Sequence, residues 1–380
     1  MDFSLTDEQQ LLLDNLDELL ERECPESYIA EIERTHQPPV KVRKALADAG
    51  FMSLGLPEQY GGTPADNLTL MLVAERVAKQ GVANAYGLEI LQARDILEFG
   101  SEEQKRTVLD LLRQGEMPFC LCITEPGAGS DDAGIATTAT HKDGKIVIDG
   151  QKTFISGAQQ AEYGLVITRD VADPHPHRAM SMWLVPMDLP GITVVGLDKI
   201  AWHTMDFNEV FFDRVEVDPS MLVGTEGLGF LQLMKNFEME RIVVAAGVLG
   251  QAEAAFEDAA HHAATRQQFG QPIGNFQLVQ LKLTNMAVKI ENIRNLLYKA
   301  AWMVDAGQPL KTIAAMAKLY SAQAGWEIVD DALQIFAGLG VTADCRISRI
   351  WRDMRVNRIG GGTDEVMVHI VGRQIVKDHG

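Results

Sequence analysis

The sequence predicts an α+β multidomain protein: a helical N-terminal domain (1–117), a central β-barrel or sandwich domain (118–224) and a C-terminal helical bundle (225–380). Three observations carry this. Leucines recur at helical spacing between recognisable caps as far as residue 112. Near Met117 that period gives way to short β-rich runs punctuated by Gly, Asp and Pro. After Gly224, long Ala-, Leu- and Met-rich helical patterns return and persist. A chain of 380 residues is long enough for roughly two or three domains.

The first helix opens at Thr6, with Gln9 completing a capping box, and buries Leu12, Leu13, Leu16, Leu19 and Leu20 on one face. A short amphipathic stretch spans 39–49, and Gly55-Leu56-Pro57 with Gly61-Gly62 marks a loop. Helices follow over 68–79 and 89–99, and Ser101 caps another that runs to Leu112. Strands are expected at 145–150, 164–168, 181–185, 193–195 and 209–215. Cys120 and Cys122, two apart in a strand-like run, would share one face of a sheet. The C-terminal helices fall at 228–247, 251–266, 277–305 and 310–336. There is no βαβ alternation, no GxGxxG after a strand and no P-loop, which argues against a Rossmann or P-loop nucleotide domain.

Composition excludes several classes. Hydrophobic residues at 46% and charged residues at 23% are ordinary for a globular chain, not a disordered one. The net charge of −19 argues against nucleic acid and anionic membrane as partners, since both need clustered positive charge. No apolar run reaches about 18 residues, so no membrane insertion is expected. The N-terminus lacks the basic segment of a signal peptide. Four cysteines without paired CxxC spacing read as reduced thiols, and a cytoplasmic location fits them. His175, His177, His261 and His262 have poor metal-ligand spacing and read as a loop and a helix surface. Arg346, Arg349, Arg352, Arg355 and Arg358 form a basic stripe. Structural salt bridges to the acidic excess explain it better than a phosphate site.

The strongest local chemical signal is Cys122-Ile123-Thr124-Glu125-Pro126-Gly127-Ala128-Gly129-Ser130-Asp131. Its glycines and proline force an irregular turn after a strand, exposing backbone N–H groups beside two hydroxyls. Such a loop can bind a polar ring edge or a phosphate. It can equally be a plain connecting turn.

Further motifs lie in register with it: Gly150-Gln151-Lys152-Thr153-Phe154-Ile155-Ser156-Gly157, Arg266-Gln267-Gln268-Phe269-Gly270, Gln334-Ile335-Phe336-Ala337-Gly338-Leu339-Gly340, Arg352-Asp353 and Ile359-Gly360-Gly361-Gly362-Thr363-Asp364-Glu365. In this order and spacing, over nearly the whole chain, the sequence resembles the acyl-CoA dehydrogenase family. Within it, the chain is most similar to the bacterial branch that includes the crotonobetainyl-CoA reductase type. The resemblance implies the family fold with a C-terminal four-helix bundle, FAD as cofactor, a homotetramer, and electron-transfer flavoprotein as redox partner. It assigns Thr124 to the flavin's pyrimidine edge, Phe154 to an aromatic position near the flavin and Ser156 to a donor towards flavin N5. Arg266, Phe269, Gln334 and Gly338 match positions that reach the adenine and pyrophosphate portion across a subunit interface. Thr363 and Glu365 match further FAD contacts, and Ser130 a contact to the acyl-CoA. Two departures stand out: Ala337 replaces the first glycine of a frequent Gly-Gly, and Leu121 replaces a frequent aromatic.

The reaction implied removes a proton α to a thioester and a hydride from the β carbon. The α-proton is weakly acidic, so a carboxylate must sit close by, desolvated, while the developing enolate is held by hydrogen bonds. Many relatives place that glutamate in the final motif, where this chain has Gly361. A minority place it on the helix corresponding to Phe237-Glu238-Met239-Glu240-Arg241-Ile242 and have a small residue in the final motif. Glu240 matches that base. Independently of the family, Phe237, Val243 and Val244 put Glu240 along an apolar stripe, where a glutamate's pKa rises, although the adjacent Glu238 and Arg241 equally allow Glu240 to be one arm of a surface or interface ion pair. Glu238, Arg241 and Gly361 complete the expected substrate side. The product is a 2-enoyl-CoA, or the reaction runs in reverse as enoyl-CoA reduction.

Residues 86–99 match the far end of the acyl site. Glu89, Gln92, Arg94 and Asp95 there favour a short or polar acyl group, unless they face solvent on the helix back. Two other readings stay open. One is a flavin monooxygenase or oxidase on the same fold, and the other a catalytically silent FAD- or acyl-CoA-binding subunit.

Overall fold

The computed structural model describes residues 4–131, 134–170 and 179–380. Six helices lead: α1 (Asp7–Glu23), α2 (Glu26–Thr35), α3 (Val40–Asp48), α4 (Asn67–Gln80), α5 (Leu88–Phe99) and α6 (Glu102–Arg113). The capping box on α1 forms as expected: the Thr6 hydroxyl accepts from Gln9 N at 3.1 Å and the Gln9 side chain accepts from Thr6 N at 3.1 Å. Ser101 and Gln104 repeat it on α6.

The β-domain contains β1 (Phe119–Cys122), β2 (Thr138–Lys142), β3 (Lys145–Ser156), β4 (Tyr163–Arg169), β5 (Met180–Pro186), β6 (Ile192–Gly196), β7 (Phe207–Val217) and β8 (Leu222–Val223). They form one sheet in the order β6-β7-β3-β2-β4-β5-β8, with β1 parallel to β4. The sheet wraps a core in which Ile146, Val166, Trp183 and Val210 meet from separate strands. Strands β4 and β5 are apolar on both faces. Val166, Trp183 and Val185 point into that core, while Leu165, Ile167, Met182 and Leu184 join Ile96 of α5, Val108 of α6 and Leu233 behind the sheet. This second core seats the sheet against the helices. Cys120 and Cys122 do share a face, with their sulfurs 3.6 Å apart, and all four cysteines are free thiols.

The C-terminal region contains α7 (Gly229–Thr265), a small hairpin of β9 (Gln267–Gln268) and β10 (Gln271–Pro272), then α8 (Gln277–Asp305), α9 (Lys311–Phe336), α10 (Arg346–Val356) and α11 (Asp364–His379). The two helices expected over 228–247 and 251–266 are one 37-residue helix. The reason is close packing. A Cβ on Gly250 would lie 2.1 Å from the Glu75 carbonyl, so this glycine lets α4 cross α7 rather than breaking the helix. The arginine stripe pairs as expected at four positions. Arg349 bonds Glu26 at 2.9 Å, Arg352 bonds Glu33 at 2.8 Å, Arg358 bonds Asp364 at 2.7 Å, and Arg346 reaches Asp258 and Glu26. The pairs with Glu26 and Glu33 tie α2 to α10, Arg346–Asp258 ties α10 to α7, and Arg355 is exposed. His261 and His262 lie on α7 as expected, whereas His175 and His177 fall outside the described residues. Among the described residues no helix is long and apolar enough to cross a membrane.

Candidate active site

The loop after β1 is pinned from below by a buried ion pair. Lys152 Nζ on β3 donates to Glu125 Oε1 at 2.8 Å and to the Ile123 carbonyl at 3.0 Å. Glu125 also accepts from Ala136 N at 2.6 Å and Thr137 N at 2.9 Å. Burial alone would raise the Glu125 pKa, but the Lys152 charge and these hydrogen bonds hold it below its ordinary value. Gly127 and Gly129 face open space: a Cβ on either would meet nothing within 4 Å. Thr124 is half-buried and Ser130 exposed.

Thr124 is joined to the neighbouring strand by Thr153 N, which donates to its carbonyl at 2.8 Å. At this point the β3–β7 register slips between Lys152 and Ile155. The bulge puts Phe154 in the left-handed region at φ 61° and turns its ring outward, 57% exposed, stacked on Phe207 with centroids 5.5 Å apart. A strained, outward-facing aromatic beside a polar loop is suited to a flat ring system. Ser156, half-buried, follows on the same strand end. Leu121 of β1, Ile123 just after it, and Phe230 and Phe237 of α7 all pack against the same buried core, which seats the start of the loop and the start of α7 on one hydrophobic cluster.

Glu240 stands on α7 one turn beyond Phe237. A Cβ on Gly361 would lie 3.7 Å from Glu240 Oε1 and 3.7 Å from Val244 Cγ2. The two positions singled out as alternatives for the base are therefore adjacent in space, and Gly361 at φ 64° leaves room for the Glu240 carboxylate. Burial raises the Glu240 pKa, and the charges of Arg241 and Lys318 oppose that rise. Arg241 is buried with its Nε unpartnered among the described residues, and Glu238 is half-buried.

Lys318 is a participant that sequence reasoning missed. It is fully buried on α9, and Nζ donates to the Gly362 carbonyl, which fixes the glycine turn beside Glu240. Burial brings its pKa down to about 8, against the opposing pull of Asp364, Glu240 and Glu365.

The remaining expected contacts form a separate exposed patch. Arg266 and Phe269 follow the end of α7, and Gln334 and Gly338 lie at the end of α9. The two ends are joined by His262 stacking on Phe336, centroids 4.4 Å apart. All four residues are exposed, Phe269 at 91%. Ala337, standing in place of a glycine, is held at φ 53° and ψ −132°. Thr363 caps α11, accepting from Val366 N at 3.3 Å, and Glu365 is exposed on its first turn.

A small, largely apolar cavity opens beside Met239 and Val243, which flank Glu240 on α7. Arg94 and Tyr86 line it, along with Leu70 and Leu91. Asp95 does not face solvent. It is buried, accepts from the Asn236 side chain, and is pushed up to about 7, first by burial and then by the charges of Glu240 and Glu98. The side chains of Glu89 and Gln92 lie outside the described residues.

Family models of the acyl-CoA dehydrogenase N-terminal domain, middle domain and C-terminal domain match residues 6–116, 120–215 and 227–376 in turn. The chain belongs to the acyl-CoA dehydrogenase family. It is an oxidoreductase acting on acyl-CoA, with flavoproteins among its relatives. The probable acyl-CoA dehydrogenase YdiO of Escherichia coli (strain K12) is 49% identical, the match covering 100% of this chain and 99% of that one. The structure of butyryl-CoA dehydrogenase from Megasphaera elsdenii superposes with a TM-score of 0.92 at 32% identity, covering 99% of this chain and 100% of that one. The FAD complex of PigA superposes with a TM-score of 0.90 at 25% identity, covering 99% of each.

Proposed function

We propose that the protein is an FAD-dependent acyl-CoA dehydrogenase, or the same chemistry run in reverse as an enoyl-CoA reductase, with Glu240 as the base. The adjacency of Glu240 and Gly361 carries this reading. The position that holds the carboxylate in many relatives is a glycine here, and a half-buried glutamate from α7 lies next to it. Burial makes Glu240 a stronger proton acceptor than an exposed glutamate, while Arg241 and Lys318 favour its ionised form. Glu240 removes the proton α to the thioester, and Arg241 and Glu238 line the same helix turn on the substrate side. Ser130 contacts the acyl-CoA.

The loop and strand end suit FAD. Thr124 would hold the pyrimidine edge, Phe154 would lie near the ring system, and Ser156 would donate towards N5. FAD, when bound, supplies the acceptor for the β-hydride. Thr363 and Glu365 would add contacts on the same subunit. Arg266, Phe269, Gln334 and Gly338 would serve the adenine and pyrophosphate portion in a neighbouring subunit, and their separate, exposed patch supports that division. A homotetramer is supported by Leu278, Leu281 and Val288 standing exposed along α8 and by Phe269. Electron-transfer flavoprotein would take the electrons, and the free thiols support a reducing, cytoplasmic location. The domain limits 1–117, 118–224 and 225–380 are supported by β1 beginning at Phe119 and α7 at Gly229.

Glu240→Gln tests the assignment. The variant should retain FAD and bind acyl-CoA while turnover falls by at least about a thousandfold, in the range expected when a general base is lost. Turnover close to that of the native protein would remove Glu240 from the mechanism.

A further inference from the structure

The cavity lined by Met239 and Val243, neighbours of Glu240 on α7, has almost wholly apolar walls, and two residues with polar groups, Tyr86 and Arg94, border it. Tyr86 is 3% exposed, and its hydroxyl has no hydrogen-bond partner among the described residues. Arg94 lines the same cavity, half-buried, and its Nη2 donates to Asn67 Oδ1 at 2.9 Å. Asn67 uses one of the five N–H donors of that guanidinium. Asn67 is itself held by Asp305, whose carboxylate accepts from its backbone N at 2.9 Å, so Arg94 is braced rather than free to swing away. Leu70, Leu91 and Val243 supply the remaining wall, and the space has room for about one water.

A purely aliphatic acyl tail would place methyl groups against a buried hydroxyl and a guanidinium, leaving the Tyr86 hydroxyl without an acceptor and giving Arg94 none beyond Asn67. We propose that Tyr86 and Arg94 select an acyl group of about four or five carbons that carries an acceptor oxygen, hydroxyl or carboxylate, at its far end. The one-water space takes that oxygen, the Tyr86 hydroxyl donates to it, and Arg94 donates or pairs with it. The leucines and Val243 pack the methylenes between it and the reacting carbons. This selection rests on the acyl-CoA dehydrogenase reading of the site.

The test is anaerobic stopped-flow reduction of the FAD-loaded protein by butyryl-CoA, 4-hydroxybutyryl-CoA and glutaryl-CoA. One oxygenated substrate should reduce the flavin with at least a tenfold higher second-order constant than butyryl-CoA. Tyr86→Phe should bring that ratio to within about twofold. Arg94→Gln separates the two sources of oxygen: it should collapse the glutaryl-CoA advantage if the oxygen is a carboxylate, and reduce a 4-hydroxybutyryl-CoA advantage only a few-fold if it is a hydroxyl. Butyryl-CoA reducing the native protein as fast as both oxygenated thioesters would overturn the selection while leaving the dehydrogenase reading intact. An unchanged ratio in Tyr86→Phe would remove Tyr86 from it. Flavin left oxidised by all three, together with failure of their enoyl-CoA counterparts to reoxidise reduced protein, would overturn the parent reading and this one with it.

Discussion

Replacing Lys152 with Met removes the positive half of the ion pair beneath the Thr124–Ser130 loop while nearly preserving side-chain length. Lys152 is fully buried and Glu125 nearly so, and Nζ makes two bonds, to Glu125 and to the Ile123 carbonyl. The substitution strands a buried carboxylate held only by the amides of Ala136 and Thr137. Breaking a buried pair from one side destabilises by about 3–5 kcal/mol. Adding Glu125→Gln removes the stranded charge but keeps an acceptor for an amide, so the double variant should recover about 2 kcal/mol of that loss through the coupling of the two sites. Because the Glu125 pKa lies below its ordinary value of 4.5, the pair's contribution is present above that pH and is lost as pH falls through the depressed value. The destabilisation by Lys152→Met should therefore be largest above that ordinary value and shrink as pH falls, where the stranded carboxyl takes up a proton. The loop presents Thr124 and Ser130, so the flavin-to-protein ratio after gel filtration should fall alongside stability. The assay is denaturant unfolding at fixed protein concentration, from pH 4 to about pH 8, paired with flavin content. A loss under about 1 kcal/mol with full flavin retention would refute the structural role given to this pair.

Two further outcomes follow from the site. Lys318→Met removes a charge that opposes the burial-driven rise of the Glu240 pKa. With that charge gone the Glu240 carboxyl titrates at higher pH, so the acid limb of the flavin-reduction rate should move to higher pH. An unmoved pH profile would contradict the coupling. Ala337→Gly relieves a non-glycine residue at φ 53°. Strain relief of about 1–3 kcal/mol, less about 0.5–1 kcal/mol for glycine's added freedom, predicts a net gain of about 1 kcal/mol by denaturant unfolding. A lower midpoint would contradict it.

The parts of the fold visible in the sequence are those with a local physical signature. Thr6 and Ser101 announce their helices because a capping box is written in four adjacent residues. The continuity of α7 was hidden because Gly247 and Gly250 read as breakers, and only the crossing of α4 explains why a glycine is needed at 250. Helix α10 reads first as an arginine stripe, although Ile347, Ile350 and Met354 carry its buried face at helical spacing. In the site, the Glu240–Gly361 adjacency joins two distant segments, so family resemblance could suggest it but local pattern could not. Lys152, Lys318 and Tyr86 were not legible at all. Lysine is rarely fully buried, and whether a tyrosine hydroxyl finds a partner depends on packing that no neighbouring residue in the chain reveals.

The most direct measurement is the flavin absorbance of purified, FAD-loaded protein mixed anaerobically with a panel of saturated short acyl-CoAs. The account predicts bleaching by at least one of them in the native protein, none in Glu240→Gln, and recovery of the oxidised spectrum when electron-transfer flavoprotein is added. A native flavin that stays oxidised with every thioester, and that once reduced is not reoxidised by any enoyl-CoA, would contradict it.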